Sequence, residues 1–292
     1  MITVACGSGL TAILTATLFL SGCSATDAPG TRPSSTTAFE HIHKIEAGHL
    51  DGVLLIAAHD GLYRLAIGQD GDALVAGPIG DFDFDLMGFA TAGKTTFASG
   101  HPGPKTAGTF GTPNLGLITS TDLGKTWINV SLTGVTDFHA LTASAGEGTD
   151  TRVFGIDTGK QRILRSMDGG TTWSEGAEIN ARDILAVGRQ LYATTPDGLA
   201  VSEDNGTSFV VDSTAPDLYL VAADQAGTLA GVDVHGNVWT RDAGGLWTTR
   251  GAVTSTPQAL AVNGKRIYVA DDRGIAFSDD KGETWTILTL RV

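Results

Sequence analysis

The chain has 292 residues, 39 of them glycine, with 17% charged residues and a formal net charge of −13. Glycine near 13% is about twice ordinary usage, and each glycine inside a helix costs roughly 1 kcal/mol, so the composition excludes a mainly helical fold and predicts short strands joined by tight turns. The 32 acidic residues outnumber the 19 basic ones, which excludes the cationic patch that a nucleic acid or an anionic membrane surface requires.

In chain order, residues 1–22 carry no charge, and Leu10 to Leu20 is a short apolar run ending in Leu20-Ser21-Gly22-Cys23. This segment resembles a bacterial lipoprotein signal. The resemblance implies cleavage before Cys23, acylation of its thiol, and export with anchoring to the cell membrane through the lipid alone. It departs from the pattern in having no Lys or Arg before the apolar stretch. Cys6 falls within the removed leader, so Cys23 is left as the single cysteine and no internal disulfide is expected. Residues 23–38, rich in Ser, Thr, Ala and Pro, read as a flexible tether.

After residue 38 the chain repeats itself. Ser120-x-Asp122-x-Gly124-x-Thr126-Trp127 recurs as Ser166-x-Asp168-x-Gly170-x-Thr172-Trp173, Ser202-x-Asp204-x-Gly206-x-Ser208-Phe209 and Ser278-x-Asp280-x-Gly282-x-Thr284-Trp285. Thr240-x-Asp242-x-Gly244-x-Leu246-Trp247 is a weaker copy, and successive Asp positions are 46, 36, 38 and 38 residues apart. That period is the length of one four-stranded propeller blade. A sixth unit lies upstream at His59-Asp60-Gly61-Leu62-Tyr63-Arg64, with Ala66 to Gly71 in place of the box. Each unit opens on an apolar stretch, such as Asp85-Leu-Met-Gly-Phe89 or Asp137-Phe-His139-Ala-Leu141. The pattern predicts an all-β chain, a six-bladed β-propeller of four-stranded antiparallel blades over residues 39–292.

The repeat resembles the Asp-box (BNR) repeat of sialidases, sortilin-like receptors and exported bacterial propellers. The mechanics are local: Asp and Ser/Thr side chains bond turn backbone, glycine permits positive φ, and the aromatic packs between blades. Asp122, Asp168, Asp204, Asp242 and Asp280 are therefore expected to be structural.

Strands alternate direction, so the boxes, which join the third and fourth strands, mark one face of the propeller. His41, His43 and His139, at the starts of inner strands, and His59, His101 and His235, between second and third strands, map to the other face. Only His49 does not. Asp60, Asp85, Asp137, Asp157, Asp233, Asp271 and Asp272 occupy the same connections, and the long stretch Ser99–Leu115 adds a loop there. The candidate ligand-binding residues are His41, His43, His59, Asp60, Asp85, His101, His139 and Asp157, over the central channel. His41, His43 and His139 are the candidate ligands of a divalent metal, zinc or copper, because neutral imidazole is a usual ligand of both.

Three function classes fit this face. The first is a binding propeller for a metal, small-molecule or glycan ligand. The second, a glycoside hydrolase, follows from resemblance to exported propellers often labelled glycosyl hydrolase; Asp85 and Asp137 would be its carboxylate pair, at about 5–5.5 Å for retention or roughly 6.5–9.5 Å for inversion. A typical sialidase is disfavoured, because Arg273 is the one obvious arginine on this face and Tyr63, Tyr192, Tyr219 and Tyr268 lie within strands. The third is a protein-interaction module. A monomer that binds no nucleic acid is expected throughout. No phosphate loop, Gly-x-Ser-x-Gly elbow, His-Glu-x-x-His or paired-cysteine motif is present.

Overall fold

A computed structural model of the chain describes residues 39–50, 52–68, 71–146, 151–157 and 159–292. The leader, Cys6, the proposed lipid-bearing Cys23 and the whole tether lie outside the described residues, as do Gln69 and Asp70 of the atypical first repeat. No helix among the described residues is long and apolar enough to cross a membrane.

The described chain forms a six-bladed propeller of small antiparallel sheets. Blade 1 is β1 (Ile42–Leu50), β2 (Val53–Ala58), β3 (Gly61–Ile67) and β4 (Asp72–Ala76), and blade 2 is β5 (Asp85–Ala92), β6 (Thr95–His101), β7 (Leu117–Ser120) and β8 (Ile128–Ser131). Blade 3 is β9 (Phe138–Ala145), β10 (Thr151–Asp157), β11 (Arg162–Ser166) and β12 (Ser174–Glu178); blade 4 is β13 (Asp183–Val187), β14 (Gln190–Thr195), β15 (Gly198–Ser202) and β16 (Val210–Val211). Blade 5 is β17 (Leu218–Ala223), β18 (Leu229–Asp233), β19 (Asn237–Arg241) and β20 (Trp247–Ala252); blade 6 is β21 (Ala259–Asn263), β22 (Arg266–Asp271), β23 (Gly274–Ser278) and β24 (Thr286–Ile287). The inner strands β1, β5, β9, β13, β17 and β21 touch in that order and back to β1, which closes the ring.

Burial explains the sequence pattern of each blade. The second strand lies between neighbouring blades on both sides, so it reads as an unbroken apolar run: Leu54 to Ala58 in β2 are all buried, as is all of β18. The outermost strands need only one buried edge and are largely exposed, as in β16 and β24. Six hydrophobic clusters follow, one in each wedge between blades. The aromatics of the repeat turns sit in these wedges against the preceding blade: Trp127 between blades 1 and 2, Trp173 between 2 and 3, Phe209 between 3 and 4, Trp247 between 4 and 5, and Trp285 between 5 and 6.

Four turns share one hydrogen-bond plan. In blade 3, the Gly170 N–H donates to Ser166 Oγ at 2.8 Å, Ser166 Oγ donates to Asp168 Oδ1 at 2.7 Å, and Thr172 donates through N at 2.9 Å and Oγ1 at 2.6 Å. Asp122, Asp204 and Asp280 repeat it. Side-chain and backbone donors of Thr126, and then Ser120, lower the Asp122 carboxyl to about 2; Thr172 does the same for Asp168. The weaker copy differs. Thr240 lacks the serine's role, Asp242 Oδ1 accepts only from Leu246 N at 2.9 Å, and Gly245 rather than Gly244 takes the positive φ, at 87°.

Ring closure departs from a plain repetition of four-stranded units. After β24 the chain crosses from blade 6 to blade 1, and β25 (Thr289–Arg291) adds a fifth strand, parallel to β4. Thr289 N donates to Gly71 O at 2.9 Å, Arg291 pairs with Asp72 at 2.6 Å, and Leu288 is buried in the wedge that lacks a box aromatic.

Candidate functional site

The two mouths of the channel differ. Lys44 of β1 reaches across to Asp183 of β13, Nζ to Oδ1 3.1 Å, joining blades 1 and 4. Toward the repeat turns, a cavity of about 460 Å³ is lined by Glu46, Thr91, Thr142 and Gln225. There burial pushes the Glu46 carboxyl up to about 7, against the opposing pull of Lys44 and Thr91. Toward the other mouth, a cavity of about 180 Å³ is lined by His41, His43, His139, Arg182 and Gln258 among others.

At this second mouth two carboxylates are each clasped by two imidazoles. Asp85, which opens β5, has His43 Nε2 3.1 Å from Oδ1 and His59 Nδ1 3.1 Å from Oδ2. Asp137, just before β9, has His139 Nε2 at 2.6 Å and His101 Nε2 at 3.3 Å, both on Oδ2. Burial alone would raise the Asp85 carboxyl, but His43, His59 and His101 outweigh it and hold it below the usual carboxylate range. The short bond to Asp137 raises His139. Both carboxylates are mostly buried, at 17% and 13% side-chain exposure, whereas His59, His101 and His139 are 42–56% exposed and open to solvent.

Backbone proximity explains the convergence. Asp85 pairs directly with His101 across the β5–β6 ladder, so one member of each group is fixed beside the other. That pairing needs glycine before the histidine: Gly100 has φ +139°, and a Cβ there would lie 1.9 Å from the Asp85 carbonyl oxygen. Gly88 likewise lets β5 approach β9, since its Cβ would lie 2.3 Å from Phe138 O. The long connection of blade 2 forms a wall rather than a free loop. It contains the short helix α1 (Ala107–Phe110), whose Phe110 packs on Phe82 and Phe84. Lys105 N and Thr106 Oγ1 donate to Asp83 at 2.8 Å each, and His101 Nδ1 lies 3.3 Å from Pro113 O.

Of the candidate ligand-binding residues, five come together here with Asp137, the other carboxylate expected at this face: His43, His59, Asp85, His101 and His139. Three do not join them. His41 stands before β1 with φ +41°, and its ring meets His43 edge-on at a centroid distance of 5.2 Å without reaching either carboxylate group. The expected metal trio His41, His43 and His139 is therefore regrouped: His43 belongs with His59 and Asp85, and His139 with His101 and Asp137. Asp60 is taken by Tyr63 OH at 2.6 Å, and Asp157 caps its own turn through Gly159 N at 3.1 Å. Asp233 and Asp271 also bond their own turns. The side chain of His49 lies outside the described residues. Sequence reasoning passed over Arg182, which lines the cavity with its guanidinium 5.0 Å over the Tyr219 ring. Its position directly before inner strand β13 was the available signal. Arg273, the arginine singled out in the sequence, is held by Asp271. Tyr63, Tyr192 and Tyr268 are buried packing residues, as expected.

No protein-family model matches the chain, and no curated protein does either. Solved structures do. A chain of a nidogen/laminin complex matches at TM-score 0.59 and 16% identity, over 80% of this chain and 91% of that one. A gluconolactonase of Xanthomonas campestris, XC5397, matches at TM-score 0.57 and 11% identity, over 82% and 86%. A GH74 xyloglucanase of the same organism matches at TM-score 0.55 and 14% identity, over 85% of this chain but 45% of that one. These likenesses show the fold. At such identities a propeller scaffold is shared by proteins that bind, assemble and catalyse, so the chemistry has to be argued from the site.

Proposed function

We propose that the chain is an exported, lipid-anchored Asp-box propeller that acts as a binding protein, with its ligand at the His/Asp mouth of blades 1–3. The observation that carries this reading is the pair of mostly buried carboxylates, Asp85 and Asp137, each facing two imidazoles drawn from more than one connection, with His43 and His139 also lining the 180 Å³ cavity. Convergent polar groups over a concavity on a rigid scaffold are the usual form of a binding site. The Asp-box assignment is supported by the shared turn hydrogen bonds. Lipid anchoring at Cys23 and location at the cell membrane are supported by the sequence of residues 10–23. A monomer is consistent with a ring that closes on itself.

A glycoside hydrolase with Asp85 and Asp137 as acid and base is the weaker reading. A general acid must stay protonated near its working pH, whereas the imidazoles around Asp85 favour its anion. A thermal-shift screen of the full chain tests the proposal with divalent cations, neutral and acidic oligosaccharides and small organic anions. At least one compound should raise the midpoint, by an amount lost in Asp85→Asn or Asp137→Asn and kept in Asp168→Asn on the opposite face. A shift that survives both mouth variants, or no shift with any compound, overturns it.

A further inference from the structure

The two groups at the mouth are arranged as metal ligands are, and two details of their hydrogen bonding go beyond simple clustering. His101 presents Nδ1 to the Pro113 carbonyl at 3.3 Å and Nε2 to Asp137 Oδ2 at 3.3 Å. A carbonyl only accepts, so His101 Nδ1 carries a proton; Nε2 then donates to Asp137 when the ring is an imidazolium and aims a lone pair at the carboxylate oxygen when the ring is neutral. In the neutral ring two acceptors face each other there, an arrangement that becomes favourable when a proton or a metal cation stands between them. A backbone carbonyl that fixes the outer nitrogen while the inner one faces a cation is the ordinary support of a metal-bound histidine. In the other group, His43 Nε2 and Asp85 Oδ1 are buried and 3.1 Å apart, yet neither makes a well-aligned hydrogen bond to any described residue.

The spacing also fits. In each group, one ligand atom from each of the three residues lies within 4.8 Å of the others. A tetrahedral zinc with bonds near 2.0–2.1 Å places its ligands roughly 3.3 Å apart; the His101–Asp137 pair stands at 3.3 Å, the 2.6 Å His139–Asp137 pair would open, and at Asp85 the two 3.1 Å contacts run to different oxygens, so His43 and His59 would converge on the cation from either side of the carboxylate. Imidazole nitrogen with carboxylate oxygen suits a borderline divalent cation. Three protein ligands, with His59 exposed in one group and His101 and His139 in the other, leave a fourth position for water or an oxygen donor from solution.

We infer that the mouth holds two divalent cations of the zinc class, one in His43/His59/Asp85 and one in His101/Asp137/His139, coupled by the Asp85–His101 ladder pair. This names the ligand of the binding site proposed above and rests on that reading.

The test is zinc stoichiometry of the full chain after chelator treatment and dialysis, by calorimetric titration and elemental analysis, with circular dichroism and the thermal midpoint as checks of folding. Two zinc per chain are expected at the mouth. His43→Ala/His59→Ala and His101→Ala/His139→Ala should each lose one, the quadruple variant both, and His41→Ala neither. A folded wild-type chain that binds less than one zinc, a ratio unchanged in the folded quadruple variant, or loss of an equivalent in His41→Ala overturns the inference. If zinc fails but an organic compound still gives a midpoint shift dependent on Asp85 and Asp137, only the metal inference falls; if neither binds, the binding reading falls with it.

Discussion

Replacing Ser166 by alanine isolates the role of a single repeat turn. Ser166 is 1% exposed; its hydroxyl accepts from Gly170 N at 2.8 Å and donates to Asp168 Oδ1 at 2.7 Å. Gly170 is pressed against the preceding blade, where an added Cβ would lie 2.0 Å from Leu117 Cδ2, so water has little room to replace the lost hydroxyl. A buried donor left without a partner costs about 1–3 kcal/mol. At about 2–4 °C per kcal/mol for a domain of this size, the midpoint should fall by roughly 2–12 °C. Differential scanning calorimetry at pH 7 measures it. Ser202→Ala, the same position in blade 4, should match, whereas Thr171→Ala, which loses one exposed bond to Asp168 O at 3.1 Å, should change the midpoint little. Ligand binding at the opposite face should be unaffected in all three. A Ser166→Ala midpoint equal to wild type, or loss of binding with the fold intact, refutes the assignment of these turns as purely structural.

The same turns set the acid limit. Asp122, Asp168 and Asp280 titrate at about 2 in the folded chain against 3.8 unperturbed, so their stabilisation is full above about pH 4 and is lost as pH falls toward 2; Asp168→Asn should flatten midpoint-versus-pH curves in that window. Glu46 runs the opposite way: raised to about 7, it favours the folded chain at low pH and costs stability as pH rises from about 4 to 7, so Glu46→Gln should raise the midpoint at pH 8 more than at pH 5. Removing residues 289–292 deletes β25 and its ladder to β4, and a lower midpoint with a broader transition is expected on calorimetry. Trp173→Ala removes an indole packed 5.1 Å from Phe138 and bonded to Ser131 and Gly170; the loss of about 3–5 kcal/mol on denaturant titration should exceed that of Ser166→Ala.

The propeller was legible because its repeat is a local code. Ser, Asp, Gly and Thr within seven residues close their own turn, and a tryptophan one step further on has a fixed wedge to fill, so chain order alone counts the blades. Closure was not legible: β25 is three residues with no box, and its parallel partner β4 lies more than 200 residues away. Strand alternation put the right histidines on the right face, but their grouping depends on register between blades. Nothing in His41-x-His43 announces that His41 stops short while His43 turns to Asp85 of the next blade. Likewise Asp157, Asp233 and Asp271 look like Asp85 and Asp137 in the sequence, yet each bonds its own turn. Turn carboxylates are satisfied locally wherever the following N–H groups point back at them, and only those set before an inner strand are left to face the channel.

The central claim is that Asp85 and Asp137, with their imidazoles, hold two divalent cations of the zinc class at this mouth. Crystals of the full chain soaked with zinc and measured for anomalous scattering on both sides of the zinc absorption edge test it most directly. The account predicts two anomalous peaks, one among His43, His59 and Asp85 and the other among His101, Asp137 and His139. Peaks only elsewhere, or none at this mouth in crystals whose lattice leaves it open, would contradict it.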